Sequence, residues 1–157
     1  VPLILAGPGV PRDRVDRRLA ELIDIVPTLL DAVGREPDRR LPGSSLLQPP
    51  ARTGAFAEMH GSGYETVQQG PAWMWRADDM KLILCLPGDI TDATLRLDEV
   101  KGELYDLKAD PCETQNLYND PAHLATRERM TRELLLRLAC AWAVYPRQST
   151  PLALAPA

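Results

Sequence analysis

Ala72-Trp73-Met74-Trp75-Arg76-Ala77-Asp78-Asp79-Met80-Lys81-Leu82-Ile83-Leu84-Cys85-Leu86 is the stretch that decides the architecture. Two apolar runs, 72–76 and 81–86, flank Asp78-Asp79, and short acidic residues between such runs mark a hairpin turn. Two more runs of strand length lie outside this pair, Ala55–Met59 upstream and Glu103–Leu107 downstream. No long helical segment separates the four, so they pair as an antiparallel sheet. Asp120-Pro121 then supplies a helix N-cap and a proline for the first helical position. Leu124, Leu134, Leu135, Leu138 and Trp142 give the helix that follows an apolar stripe reaching to about Tyr145, suited to covering one face of the sheet.

Upstream of the sheet, Val1–Ala6 is an apolar run closed by Gly7-Pro8-Gly9, the pattern of a buried strand entering a tight turn. Leu19, Leu22, Ile23, Val26, Leu29, Leu30 and Val33 recur at helical spacing. Pro27 interrupts them, which is compatible with a helix only if that helix begins around Leu22 or Ile23. Gly34 is a natural stop. Residues 35–53 read as an irregular linker, and 146–157, rich in Pro and Ala, as a flexible tail. The expected fold class is α+β: one strand and helix of a larger α/β domain (1–34), then a small antiparallel sheet packed by a C-terminal helix (54–145).

The chain has 157 residues, 45% hydrophobic and 25% charged, enough apolar material for a core. Its net charge is −4, and its eighteen Lys and Arg are dispersed, with Asp13 and Asp16 set among Arg12, Arg14, Arg17 and Arg18. A nucleic-acid partner needs an uncompensated basic face and is not expected. No apolar run approaches the ~20 residues that span a bilayer, so no membrane partner is expected either. The opening Val1-Pro2-Leu3-Ile4 has neither an initiator Met nor a basic leader, and the true N-terminus is expected to lie upstream. Cys85, Cys112 and Cys140 are odd in number and lack chelating spacing; they read as free thiols packed as small hydrophobes. They leave the compartment open.

Three stretches, in order, resemble the sulfatase family. Val1-Pro2-Leu3-Ile4-Leu5-Ala6-Gly7-Pro8-Gly9, with Ile23-Asp24-Ile25-Val26-Pro27-Thr28-Leu29-Leu30 and Gly34, is similar to a strand and helix of that family. Met80-Lys81-Leu82-Ile83-Leu84 is similar to its Lys-Leu-Ile strand. Glu103-Leu104-Tyr105-Asp106-Leu107, Asp110-Pro111, Glu113 and Asn116-Leu117 match a further signature. Asp110-Pro111 and Asn116 are turn formers, so that signature reads as structural rather than catalytic. The resemblance covers residues 1 to about 143 and implies the C-terminal portion of an alkaline-phosphatase-like α/β parent. It further implies hydrolysis of sulfate esters, on small molecules or glycans, by a formylglycine made from a Cys in Cys-x-Pro-Ser-Arg, with calcium held by Asp and Asn. All of those groups would lie upstream of this chain, which would carry no catalytic or metal-binding residue and bind no cofactor itself.

His60, in Glu58-Met59-His60-Gly61-Ser62-Gly63-Tyr64, is the candidate substrate-binding residue. It sits between a strand end and a glycine-rich loop, and a histidine can hold an anion when protonated; the competing reading is a loop histidine capped by backbone. Cys85-Leu86-Pro87 begins like the nucleophile motif but lacks its Ser and Arg. Gly61-Ser62-Gly63 lacks the spacing of a hydrolase elbow. His123 is expected on the exposed side of the last helix, and Trp73, Trp75, Tyr105 and Trp142 read as core rather than sugar platforms. Two rival readings stand beside the sulfatase one: the same part of a phosphodiester or phosphonate monoester hydrolase, and a stand-alone binding module without catalysis.

Overall fold

A computed structural model describes residues 2–37, 41–49, 52–59, 69–87 and 100–144, the side chains of Gln69, Pro87 and 141–144 excepted. Strands β1 (Gly54–Met59), β2 (Gln69–Ala77), β3 (Met80–Pro87) and β4 (Lys101–Asp106) form an antiparallel meander in that spatial order. Each of the four runs expected to build this sheet is a strand, with ends shifted by a few residues. Ala77 pairs with Met80 across the Asp78-Asp79 turn. Asp78 takes a positive φ of 52°, a region that Asp tolerates better than bulkier residues do.

The register aligns Phe56, Trp75, Leu82 and Leu104 in one row across all four strands. Helix α2 (Leu124–Val144) lies over that row. Trp75, Ala77, Leu82 and Leu104 meet Met130 and Leu134 in the buried core, with Trp73, Leu84 and Leu138 packed around them. The Trp75 indole N–H donates to Glu133 Oε2 at 2.9 Å, so the ring is buried without stranding its donor.

The phase of α2 differs from the expected stripe. Met130 and Leu134 are 0% and 1% exposed, whereas Leu135 is 58% and Leu124 42% exposed. Leu134, Leu135 and Leu136 are consecutive and point about 100° apart, so only one can face the sheet. The helix opens as expected: Asp120 Oδ1 accepts from the Ala122 N–H at 2.9 Å, and a 3-10 turn, Pro121–His123, leads into it. His123, expected on an exposed face, is half-buried, with its Nδ1 3.0 Å from Asp120 Oδ2.

The turn after β4 is built from side-chain acceptors. Asp106 Oδ1 accepts from the N–H groups of Lys108 and Ala109 at 2.9 and 3.1 Å. Asp110 Oδ2 takes the N–H groups of Thr114 and Gln115 at 2.7 and 2.8 Å. Asn116 Oδ1 then accepts from Leu104 N–H at 3.0 Å and Tyr118 N–H at 2.9 Å, which caps the outer edge of β4. The Tyr118 ring lies on Gly102, where a Cβ would collide with it. The Gln115 N–H above all, with the Thr114 hydroxyl and N–H, holds the Asp110 carboxyl below its usual range against partial desolvation. The Ala122 N–H and then His123 do the same for Asp120.

Upstream, a 3-10 turn (Leu22–Asp24) runs into helix α1 (Ile25–Ala32), the start that Pro27 required. Arg35 N–H donates to Leu30 O and Gly34 N–H to Asp31 O, both at 2.9 Å, with Gly34 at φ 72°. That is the double bond of a glycine-closed helix end. Residues 2–6, expected as a buried strand, are neither: they form no ladder, and Leu3, Ile4 and Leu5 are exposed. A strand exists only through its neighbours, and no described strand lies beside this one.

α1 is tied to the sheet by charge. The carboxylate of Asp24 is fully buried and accepts from the N–H groups of Glu21 (2.8 Å) and Ser44 (2.9 Å). Arg52 donates to Asp24 Oδ1 through one guanidinium nitrogen and lies 2.6 Å from Glu21 Oε1 through the other. Glu21 Oε1 also accepts the outward N–H of Phe56 in edge strand β1 at 2.8 Å. Its Oε2 lies 3.7 Å from Arg137 of α2.

Two expectations follow. Leu134→Ala should cost about 2–5 kcal/mol and Leu135→Ala less than about 0.5 kcal/mol by chemical denaturation; equal costs would mean that the phase of α2 is wrong. Asp110 and Asp120 bind protons less readily folded than unfolded. Their contribution is therefore complete above the unfolded value of 3.8 and is lost as pH falls through the folded one. Amide exchange at Thr114, Gln115 and Ala122, corrected for intrinsic rates, should keep its protection down to about pH 4 and lose it as pH falls further. Asp110→Asn should weaken protection at Thr114 and Gln115 and flatten its pH dependence, and an unchanged profile would contradict the assignment.

Candidate functional site

Meander topology puts two kinds of connection at opposite ends of the sheet. Gly54, the 77–80 turn and Asp106 share one end; Met59, Gln69, Pro87 and Lys101 share the other. Residues 60–68 and 88–99 therefore both leave and re-enter the sheet at that second end. Met59, Ala72, Cys85 and Lys101 form the row nearest to it. His60 follows Met59 directly in sequence but lies outside the described residues, as do Ser62, Gly88 and Asp89. Each strand pair is about 4.8 Å wide, so this end spans roughly 14 Å from β1 to β4.

Cys85, on β3 at this end, is half-buried. Burial foremost, then the Glu103 carboxylate, pushes its thiol up, the opposite of an activated nucleophile. The expected packing of cysteines as small hydrophobes fails elsewhere: Cys112 and Cys140 are exposed. Cys112 falls in the polar turn that Asp110 organises, and Cys140 on the face of α2 turned from the sheet. Tyr105 donates its hydroxyl to Glu103 Oε2 at 3.0 Å, and burial with that bond pushes its phenol up. Of the aromatic residues read as core, Trp75 is in it, Trp73 packs against it, and half-buried Tyr105 is outside it. Trp142 lies on α2, its side chain outside the described residues.

A shallow groove opens where α2 passes the start of β4. Val100 and Leu135 give it apolar surface; Asn119, Thr131, Arg127 and Arg132 give it polar walls. Arg127 is fixed there, Nη1 donating to Tyr118 O at 2.8 Å and the guanidinium 4.9 Å over the Tyr118 ring. Sequence reading missed this groove because its arginines looked like members of an evenly dispersed set. Among the described residues no three His, Cys, Asp or Glu side chains converge as a metal site. Nor is any described helix long and apolar enough to cross a membrane.

No family model matches the chain. It is 30% identical over 138 residues to an uncharacterized sulfatase of Escherichia coli, YidJ, covering 86% of this chain and 25% of that protein. A 2-O GAG sulfatase structure superposes with a TM-score of 0.58 at 28% identity, over 76% of this chain and 25% of the other. The phosphonate monoester hydrolase of Agrobacterium radiobacter superposes with a TM-score of 0.52 at 25% identity, over 74% of this chain and 24% of that one. The chain thus spans about a quarter of the length of the curated relatives it matches. With the sulfatase signatures on β3, β4 and α1 folded as described, this chain belongs to the sulfatase family, within the alkaline-phosphatase-like superfamily.

Proposed function

We infer that this chain is the C-terminal part of a sulfate-ester hydrolase, and that its work is to complete the fold and shape one rim of the substrate cleft. The observation that carries the reading is the bare outer face of α1. Leu22, Val26, Leu29 and Val33, at helical spacing, are exposed, as are Leu3, Ile4 and Leu5, although the inner side of the same helix holds a fully buried carboxylate. A contiguous apolar surface of this kind marks a face made to be covered. Residues 1–34 accordingly belong to a large domain as its last strand and helix, with 35–53 a linker, 54–145 a small subdomain and 146–157 a tail.

The catalytic residues then lie outside this chain. Formylglycine would supply the nucleophile there and calcium would neutralise the sulfate; nothing in the described residues takes part in either. His60 is the substrate-binding candidate that this chain contributes, because residues 60–68 leave the sheet at the end bearing both long connections. The substrate class is a sulfate ester on a small molecule or a glycan.

The superposition on a phosphonate monoester hydrolase supports a second reading, in which the same framework serves a phosphorus ester. The bare face of α1 speaks against a stand-alone binding module. The intact protein should hydrolyse an aryl sulfate, and residues 1–157 alone should not. Preference of the intact protein for phosphonate monoesters or phosphodiesters would replace the leading reading with the second, and turnover by this chain alone would refute both.

A further inference from the structure

The groove beside α2 combines features that the sulfate-ester reading leaves unused. α2 crosses the sheet with two different flanks. Arg129 and Glu133 face the hairpin end, with Arg129 Nη2 3.8 Å from Asp78 Oδ2 and Glu133 accepting from the Trp75 indole N–H. The opposite flank carries Thr131, Arg132 and Leu135 beside Val100, at the end from which both long connections leave. Arg132 is exposed and makes no hydrogen bond or ion pair among the described residues. Arg127 is held by Tyr118 through Nη1, which leaves its other N–H groups unassigned among the described residues.

Leu135 is the other anomaly. It is an apolar side chain, 58% exposed, in the wall of a groove with two guanidinium groups. A lining that combines guanidinium groups with apolar surface suits a ligand with anionic substituents on a ring that has apolar C–H faces. Glu128 is the one acid in the lining, so the groove keeps net positive charge in a chain that is negative overall.

We propose that this groove is a binding site for an anionic saccharide, whose sulfate or carboxylate is taken by Arg132 with Arg127, and whose ring lies on Leu135 and Val100. Its ligand class rests on the sulfate-ester reading, but its test needs no turnover.

The test is methyl NMR of the intact protein labelled at Leu and Val, with the Leu135 and Val100 signals as local reporters. Two probes are titrated: a saccharide sulfonate, which has the anion but no ester to hydrolyse, and an unsulfated hexuronate disaccharide. A neutral disaccharide serves as control. Both reporters should shift with an anionic probe and not with the neutral one. Arg132→Ala should weaken that binding by roughly two- to fivefold, the range of an exposed charge pair, and Glu128→Gln should strengthen it. Response to the sulfonate alone makes the site sulfate-selective; response to both makes it a general anion site. Silent reporters, or shifts indifferent to Arg132, would overturn the proposal. Shifts that depend on Arg132 in a protein without sulfatase activity would uphold the groove and refute the sulfate-ester reading instead.

Discussion

Arg52 grips two carboxylates at once, the fully buried Asp24 and the half-buried Glu21, and the mutual arrangement of the parts follows from that grip. Asp24 fixes the N-terminus of α1 and, through Ser44 N–H, the loop that returns toward the sheet. Glu21 fixes the edge strand through Phe56 N–H and reaches Arg137 on α2. One guanidinium therefore joins a helix, a loop, a strand edge and, through its partner, the packing helix. Removing such charges from water is costly, and the compensation is geometric: each carboxylate oxygen has a specific partner. The junction decides less how stable the fold is than which arrangement of its parts is allowed.

Local chemistry was legible in the sequence. The Asp78-Asp79 turn, Asp120-Pro121 and Gly34 act through their own backbone neighbours, so their residue types announce them. The reading of Asp110 and Asn116 as structural also holds, since their side chains accept backbone N–H groups. The phase of α2 was not legible, because a run of three leucines offers several apolar faces and only the row Phe56–Trp75–Leu82–Leu104 selects one. Arg52 was invisible for a similar reason: its partners lie 31 and 28 residues away, and no local pattern links them. The strand expected at Val1–Ala6 failed because its character depends on neighbours that the described residues do not contain.

The site divides in the same way. His60 could be singled out from its glycine-rich setting, and the meander shows which end of the sheet residues 60–68 leave from. The groove by α2 could not be found from sequence, because Arg127, Arg132 and Leu135 gain their meaning only from Val100 and Tyr118 across a fold boundary. A helix whose inner face is locked by buried charge and whose outer face is bare presents an apolar surface suited to being covered. That places the weight of the functional account on what covers α1.

The most direct measurement is amide hydrogen exchange across Leu22–Val33, compared between residues 1–157 alone and the intact protein. The account predicts fast exchange, or self-association, in the isolated chain and strong protection in the intact protein. Equal protection in a monomeric isolated chain would contradict it, and would mean that α1 needs no cover beyond its own junction with Arg52.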